Sequence, residues 1–391
     1  MTVAVGAPAL DVDLYAAAAL VDSRALFARV REAGPVVWLP RHRLYAMGRY
    51  DDVRAALRDD ATFVSRRGVA ANVVTNIGGR GTTLFSDGET HDARRAILRR
   101  SLSPQALTDA QAHVDRRAEQ VVEALVRRGG EFDAVADFSR DLPVNIVADL
   151  VGVRAGAERM LRWAAGTFDS LGPLNRRTVT SAPRSLGLLA YSLRLSPRHV
   201  APGTWAASVF AASERGEITA REARALIIDF VAPSLDTTIL ASTHLLWELA
   251  HNPEAYDLVR ADPDLIPAAV VENVRLASPI RGFTRWVARD TEVDGVPVPA
   301  GARVVLLFGA ANLDETRFPD PERFDLHRKA NAHLGWGNGT HTCVGIHLAK
   351  LEMQALLRAM VPRVRAVGVR APRRLRNNTL QGFRALTARF D

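Results

Sequence analysis

Trp336-Gly337-Asn338-Gly339-Thr340-His341-Thr342-Cys343-Val344-Gly345 sets the only cysteine of the chain inside a run of closely spaced glycines. Those glycines let the backbone turn tightly and bring amide groups against a ligand. Directly downstream, Val344, Leu348, Leu351 and Ala355 recur at helical spacing, which predicts a helix beginning beside Cys343. The positive end of such a helix, with its unpaired N–H groups, favours a thiolate. A sulfur so placed can bind a metal, act as a nucleophile or stay an inert buried thiol, and the cysteine alone leaves all three open.

Upstream, Arg221 to Ala250 carries apolar residues around a long segment, preceded by the capping-box pattern Thr219-Ala220-Arg221-Glu222. About thirty residues of helix would cross some 45 Å, so this segment is expected to be largely buried. In its middle, Ala232-Pro233-Ser234-Leu235-Asp236-Thr237-Thr238 places a carboxylate and a hydroxyl where burial is costly without partners. Thr237 can bond back to the carbonyl four residues earlier. Pro233 removes one N–H and predicts a kink. Short strands are predicted at Val36–Leu39 and Leu44–Met47, and around turns containing Gly295 and Gly301. The expected fold is mainly α with small β-sheets. The candidate linkers, Arg154–Ala157 and Ser196–Gly203, are short, so one domain over 1–391 is expected.

One cysteine excludes an intrachain disulfide and a multi-cysteine zinc or iron–sulfur site, and fits a reducing cytoplasm. The apolar run Leu14–Val21 follows two aspartates and is too short to span a bilayer, so no membrane association is expected. The net charge of +8 raises nucleic acid as a partner. The arginines are dispersed, however, and no nucleic-acid signature accompanies them. A basic face for an acidic protein partner explains the charge at least as well, and abundant arginine also follows from a GC-rich genome.

The cysteine loop closely resembles the haem-binding loop of the cytochrome P450 family. Three further stretches resemble that family in the expected order, over roughly Val53 to the C-terminus: Asp87-Gly88-Glu89-Thr90-His91-Asp92-Ala93-Arg94-Arg95, the Asp236-Thr237 pair, and Glu272-Asn273-Val274-Arg275. The resemblance implies the helical, prism-like P450 fold and haem b as cofactor. It implies Cys343 as the iron ligand, Trp336 and Gly337 as part of the haem loop, and His91, Arg95, Arg285 and His341 as contacts of the haem propionates. Asp236 is then the residue that feeds protons, and Thr237 the one that orders water. The Glu272–Arg275 pair is expected to be joined by Arg323. The family usually has Phe where Trp336 stands, and an Ala/Gly-Gly pair where Pro233-Ser234 stands.

The implied activity is that of a monooxygenase acting on a small organic molecule with O2. No flavin or nicotinamide segment is visible, so electrons are expected from an acidic ferredoxin and its reductase, docking near Arg94, Arg99, Arg100, Arg328 and Lys350. The phrases Ser65-Arg66-Arg67-Gly68-Val69 and Arg376-Asn377-Asn378-Thr379-Leu380 resemble a bacterial subgroup that oxidises small aromatics such as methoxybenzoates and methoxyphenols. On that resemblance, Arg67, Leu84, Phe85, Ser234, Ile280, Arg281, Phe283 and Leu380 are expected to contact substrate. Arg67 or Arg281 would pair with a carboxylate. The alternatives are a tailoring enzyme acting on a larger natural product and a non-oxygenating haem sensor. A monomer is expected.

Overall fold

The computed structural model describes residues 6–153, 155–329 and 332–391; Arg154, the first residue of one candidate linker, lies outside them. Helices dominate, and the longest runs from Ala220 to His251. Its start is the predicted capping box: Thr219 Oγ1 accepts from the Glu222 N–H, and Glu222 accepts from the Thr219 N–H. Leu226, Phe230, Leu235, Leu245 and Leu246 on it are buried in a core that draws residues from Ile97 to Ala388. This helix is also the one described helix long and apolar enough to cross a membrane, yet 61% of its most apolar window is buried inside the protein. The predicted kink at Pro233 does not break it, because helical structure continues on both sides.

Among the described residues, three small sheets flank the helices. Strands β1 (Val37–Leu39) and β2 (Leu44–Met47) form the expected hairpin. They join β3 (Phe63–Val64), β5 (Phe283–Val287) and β8 (Arg303–Leu306) in the order β1-β2-β8-β5-β3, with only the β2–β8 pair parallel. Strand β4 (Glu131–Asp133) pairs with the long C-terminal hairpin β9 (Val367–Arg374) and β10 (Phe383–Phe390). Strands β6 (Thr291–Val293) and β7 (Val296–Val298) close over Gly295, whose φ of 77° suits the turn.

Two fastenings position the site. The first ties the loop after β3 to β5: Gly68 packs so closely that a Cβ there would lie 2.2 Å from the Trp286 backbone nitrogen. The second is a buried ion network. Arg275 donates two bonds to Glu272, at 2.9 and 2.7 Å, and further bonds to the carbonyls of Asn312 and Pro321. The third member is Arg328, whose Nε reaches Glu272 at 2.9 Å. Arg323 was the expected partner, but its side chain is exposed and only its carbonyl joins the network. The chain turns back after Phe324, which carries Arg328 under the helix that holds Glu272.

Candidate active site

A cleft with about 1420 Å³ of atom-free space, part of it open to solvent, lies between the long helix and the Ile346–Met360 helix that follows the cysteine loop. It is lined by Cys343, Trp336, Gly337 and His341 from the loop, and by His91 and Arg95 from the Gly88–Leu102 helix. Arg285 on β5 and Ser234 and Thr237 on the long helix also line it, as do Leu84, Ile280 and Phe283. Residues from five separate segments of sequence therefore meet around one space.

The sulfur end is built by the loop. The Cys343 N–H donates to the Trp336 carbonyl at 2.8 Å, closing the turn. The predicted helix starts at Ile346, three residues past the cysteine. Burial pushes the free thiol up in pKa, against the Gly345 N–H and the Arg95 charge that favour ionisation. A half-buried sulfur whose thiol is held protonated is a poor free nucleophile but ionises when a metal cation binds it.

Basic groups crowd the same end. Arg95 donates to the Thr342 carbonyl, while its Nε is buried without a partner. His91 is fully buried against His341, with ring centroids 4.3 Å apart, and its Nε2 has no partner. Arg285 is buried with one bond, to the Thr284 carbonyl at 2.9 Å, and burial pushes its pKa down to about 10. His341 Nε2 lies 3.3 Å from Asp87 Oδ1. Burial acts to raise Asp87, but His341 and the N–H groups of Arg66 and Ser65 outweigh it and hold the carboxyl below its usual range. A buried arginine, a half-buried one and a buried histidine that want acceptors form a cradle for an anion.

At the opposite wall, the Thr237 hydroxyl faces the cleft and donates to the Pro233 carbonyl at 2.7 Å. Asp236, one residue earlier, is not among the residues that line the cleft. Its Oδ2 is buried without a partner, and burial, aided by the charge of Asp169, pushes its pKa up to about 7.

Several sequence expectations place residues elsewhere. Arg67 is exposed on the surface. Arg281 is buried on the far side of its loop, donating to Ser23 Oγ at 3.1 Å and to the Leu14 carbonyl at 2.9 Å. It staples the N-terminal segment and has no reach left for a ligand. Phe85 and Leu380 pack into a hydrophobic cluster behind the cleft wall. On the expected docking face, Arg94 and Arg100 are engaged by Glu222 and Glu217, and Arg328 by Glu272. Sequence reasoning missed Phe168, Phe308 and Asp229, which line the cleft. For Asp229 a signal existed, because it lies eight residues before Thr237 and hence on the same helical face.

The cytochrome P450 family model matches residues 204–367. Cytochrome P450 CYP199A2 from Rhodopseudomonas palustris is 35% identical over 387 residues, covering 97% of this chain and 94% of the relative. The chain belongs to the cytochrome P450 family. Linalool 8-monooxygenase from Pseudomonas putida is 28% identical to this P450, covering 92% of the chain and 94% of that enzyme. The crystal structure of epothilone D-bound P450epoK superposes with a TM-score of 0.85 at 25% identity, over 98% of this chain and 99% of that one. The fold is thus the P450 fold, and the protein is a P450 monooxygenase with haem b as cofactor, taking electrons from a redox partner and acting on a small molecule with O2.

The residues present fit haem b. One sulfur faces the cleft for the metal, and the unpartnered nitrogens of His91 and Arg95, with Arg285, suit two carboxylates at the cofactor's edge. Trp336 supplies a flat ring beneath the loop, and its buried indole N–H also lacks a partner.

Proposed function

We propose that this P450 hydroxylates a small, largely apolar aromatic or removes its O-methyl group, with electrons from an acidic ferredoxin and its reductase. The observation that carries this reading is the lining of the cleft near Thr237. Leu84, Phe168, Ile280, Phe283 and Phe308 form an apolar, aromatic wall beside the Thr237 hydroxyl. When bound, haem supplies oxygen activation, and a thiolate ligand favours O–O cleavage. Cys343 would hold the metal, and His91, Arg95, Arg285 and His341 would hold the propionates. Thr237 orients water at the cleft wall through its hydroxyl. Asp236, poised to exchange a proton near neutral pH, replenishes that water. The apolar wall orients the ring and excludes bulk water from the reacting carbon. Oxygen insertion into a methoxy C–H gives a hemiacetal, which collapses to formaldehyde and a phenol.

Methoxyphenols suit this pocket better than methoxybenzoates, since neither Arg67 nor Arg281 is placed to meet a carboxylate. For the ferredoxin, Arg99 and Lys350 are the two expected docking cations for which no acidic partner is found among the described residues. One core that joins residues from Ile97 to Ala388 supports a single domain over 1–391, which we read as a cytoplasmic monomer. The test is a titration of the haem-loaded enzyme with methoxyphenols, alkylanisoles and methoxybenzoates, followed by formaldehyde release with a surrogate ferredoxin system. A shift of the haem Soret band is expected for the phenols and anisoles. No response from any small aromatic overturns the reading.

A further inference from the structure

Asp229 lies on the long helix one turn before Pro233 and two turns before Thr237, and all three line the cleft. At 1.5 Å per residue, Asp229 sits about 12 Å along the helix axis from Thr237. A para-substituted benzene ring with a short side arm spans that gap. Asp229 Oδ2 accepts from the Thr83 N–H at 2.7 Å, which fixes the loop bearing Leu84. Arg94 is the basic residue that most influences it, but its guanidinium is committed to Glu222 at 2.8 Å and to the Thr82 carbonyl. The other cations on the cleft are drawn to the opposite end. Arg95 bonds Thr342, His91 stacks on His341, and Arg285 is influenced by Asp87. Among the described residues, Asp229 is therefore the one ionisable group on the long-helix wall of the cleft.

We infer that Asp229 is a substrate-selecting residue. It favours a small aromatic whose far end carries a cation or a strong N–H donor, and it rejects one that ends in a carboxylate. This deepens the small-aromatic reading above and rests on it. An anionic group beside an apolar wall is costly unless it finds a partner. Burial shows that cost by pushing the Asp229 carboxyl up to about 6, which still leaves it mostly ionised at neutral pH. A ligand cation would supply the missing partner, whereas a ligand carboxylate would meet like charge beside an apolar wall. Asp229→Asn isolates this role from loop anchoring, because the amide oxygen still accepts the Thr83 N–H.

The experiment titrates the haem-loaded enzyme with (4-methoxybenzyl)trimethylammonium and with its uncharged isostere, 1-methoxy-4-neopentylbenzene, following the haem absorption and the heat of binding. The quaternary nitrogen has no lone pair, so it cannot bind iron and the response reports occupancy of the pocket. In wild type the cation is expected to bind at least as tightly as the far more hydrophobic isostere. Asp229→Asn should weaken the cation about tenfold or more and leave the isostere within about twofold. The same variant should bind 4-methoxybenzoate more tightly than wild type does. Equal weakening of cation and isostere overturns the inference while leaving the small-aromatic reading intact, and so does a wild-type preference for the benzoate over the cation. If none of the three ring compounds binds, the small-aromatic reading falls and the inference falls with it.

Discussion

Arg328 and Arg323 give a direct test of how the haem loop is braced. Arg328 is 9% exposed and makes a 2.9 Å bond to Glu272, with further bonds to the carbonyls of Pro319 at 2.7 Å and Asp320 at 3.0 Å. Replacing it by Ala leaves the buried Glu272 carboxylate with Arg275 and the Asp325 N–H alone, and takes a donor from the carbonyls of Pro319 and Asp320. Removing one partner from a buried ion pair costs about 3–5 kcal/mol. For a chain of 391 residues that lowers Tm by roughly 4–6 °C. Arg323→Ala should change stability by no more than about 0.5 kcal/mol, because that side chain is exposed and its carbonyl remains in place. Arg328→Lys keeps the charge but loses the fork, so it should fall between the two. Urea unfolding of the haem-loaded variants, followed by far-UV dichroism and by loss of haem absorption, measures all three. If Arg323→Ala proves as damaging as Arg328→Ala, the assigned network is wrong.

Asp236→Asn should reduce turnover by about 10²-fold or more, and ligand-binding spectra should be unchanged. With its pKa pushed up to about 7, and with Asp169 the charged neighbour that adds to the shift, Asp236 carries its proton below that pH. Wild-type kcat should therefore decline as pH rises through about 7; a variant that keeps the same inflection removes Asp236 from proton supply. Glu248 and His244 lie 3.4 Å apart in the core, but burial pushes the acid up to about 7 and the imidazole down to about 4, so both are neutral between those pH values. Since the folded state holds the Glu248 proton up to about 7 and the unfolded chain releases it near 4.5, Glu248 lowers stability by on the order of 3 kcal/mol as pH rises between those values. His244, neutral in the fold down to about 4 but not in the unfolded chain until 6.5, raises it by a similar amount, so the two largely cancel. Glu248→Gln should leave the His244 contribution uncompensated, so its denaturation midpoint should rise more from pH 5 to pH 8 than that of wild type. Gly68→Ala should cost about 1–3 kcal/mol by driving its new methyl into the Trp286 backbone, and should weaken substrate binding in spectral titrations as the attached loop shifts. Unchanged affinity would remove that loop from the pocket.

Where the pattern is local, the sequence was readable. The cysteine loop, the capping box at Thr219 and the hairpin at Val37–Met47 depend on neighbours a few residues apart, and each is found within a residue or two of its expected place. The arginines show why the rest was not readable. Arg67, Arg281, Arg323 and Arg328 are the same chemical species, and only the path of the loops decides which face solvent and which fill a buried carboxylate or a ring of carbonyls. Arg281 looked free for a ligand because its partners, the carbonyls of Leu14 and Ala19, lie over 260 residues away and carry no side-chain signature. Asp229 was hidden by its apolar neighbours Ile227, Ile228, Phe230 and Val231, which read as core. Helical phase relative to Thr237 was the information that mattered.

The chain owns a single sulfhydryl, and it faces the haem cleft. Once iron is bonded to it, a thiol reagent should find nothing to label on the native enzyme. Reagent uptake after gentle treatment then counts molecules that have lost their cofactor, one label for each. The same silence makes the scaffold convenient for placing a reporter: a cysteine introduced at Arg99 would be the sole reactive handle, ready to carry a probe that senses the electron donor as it arrives.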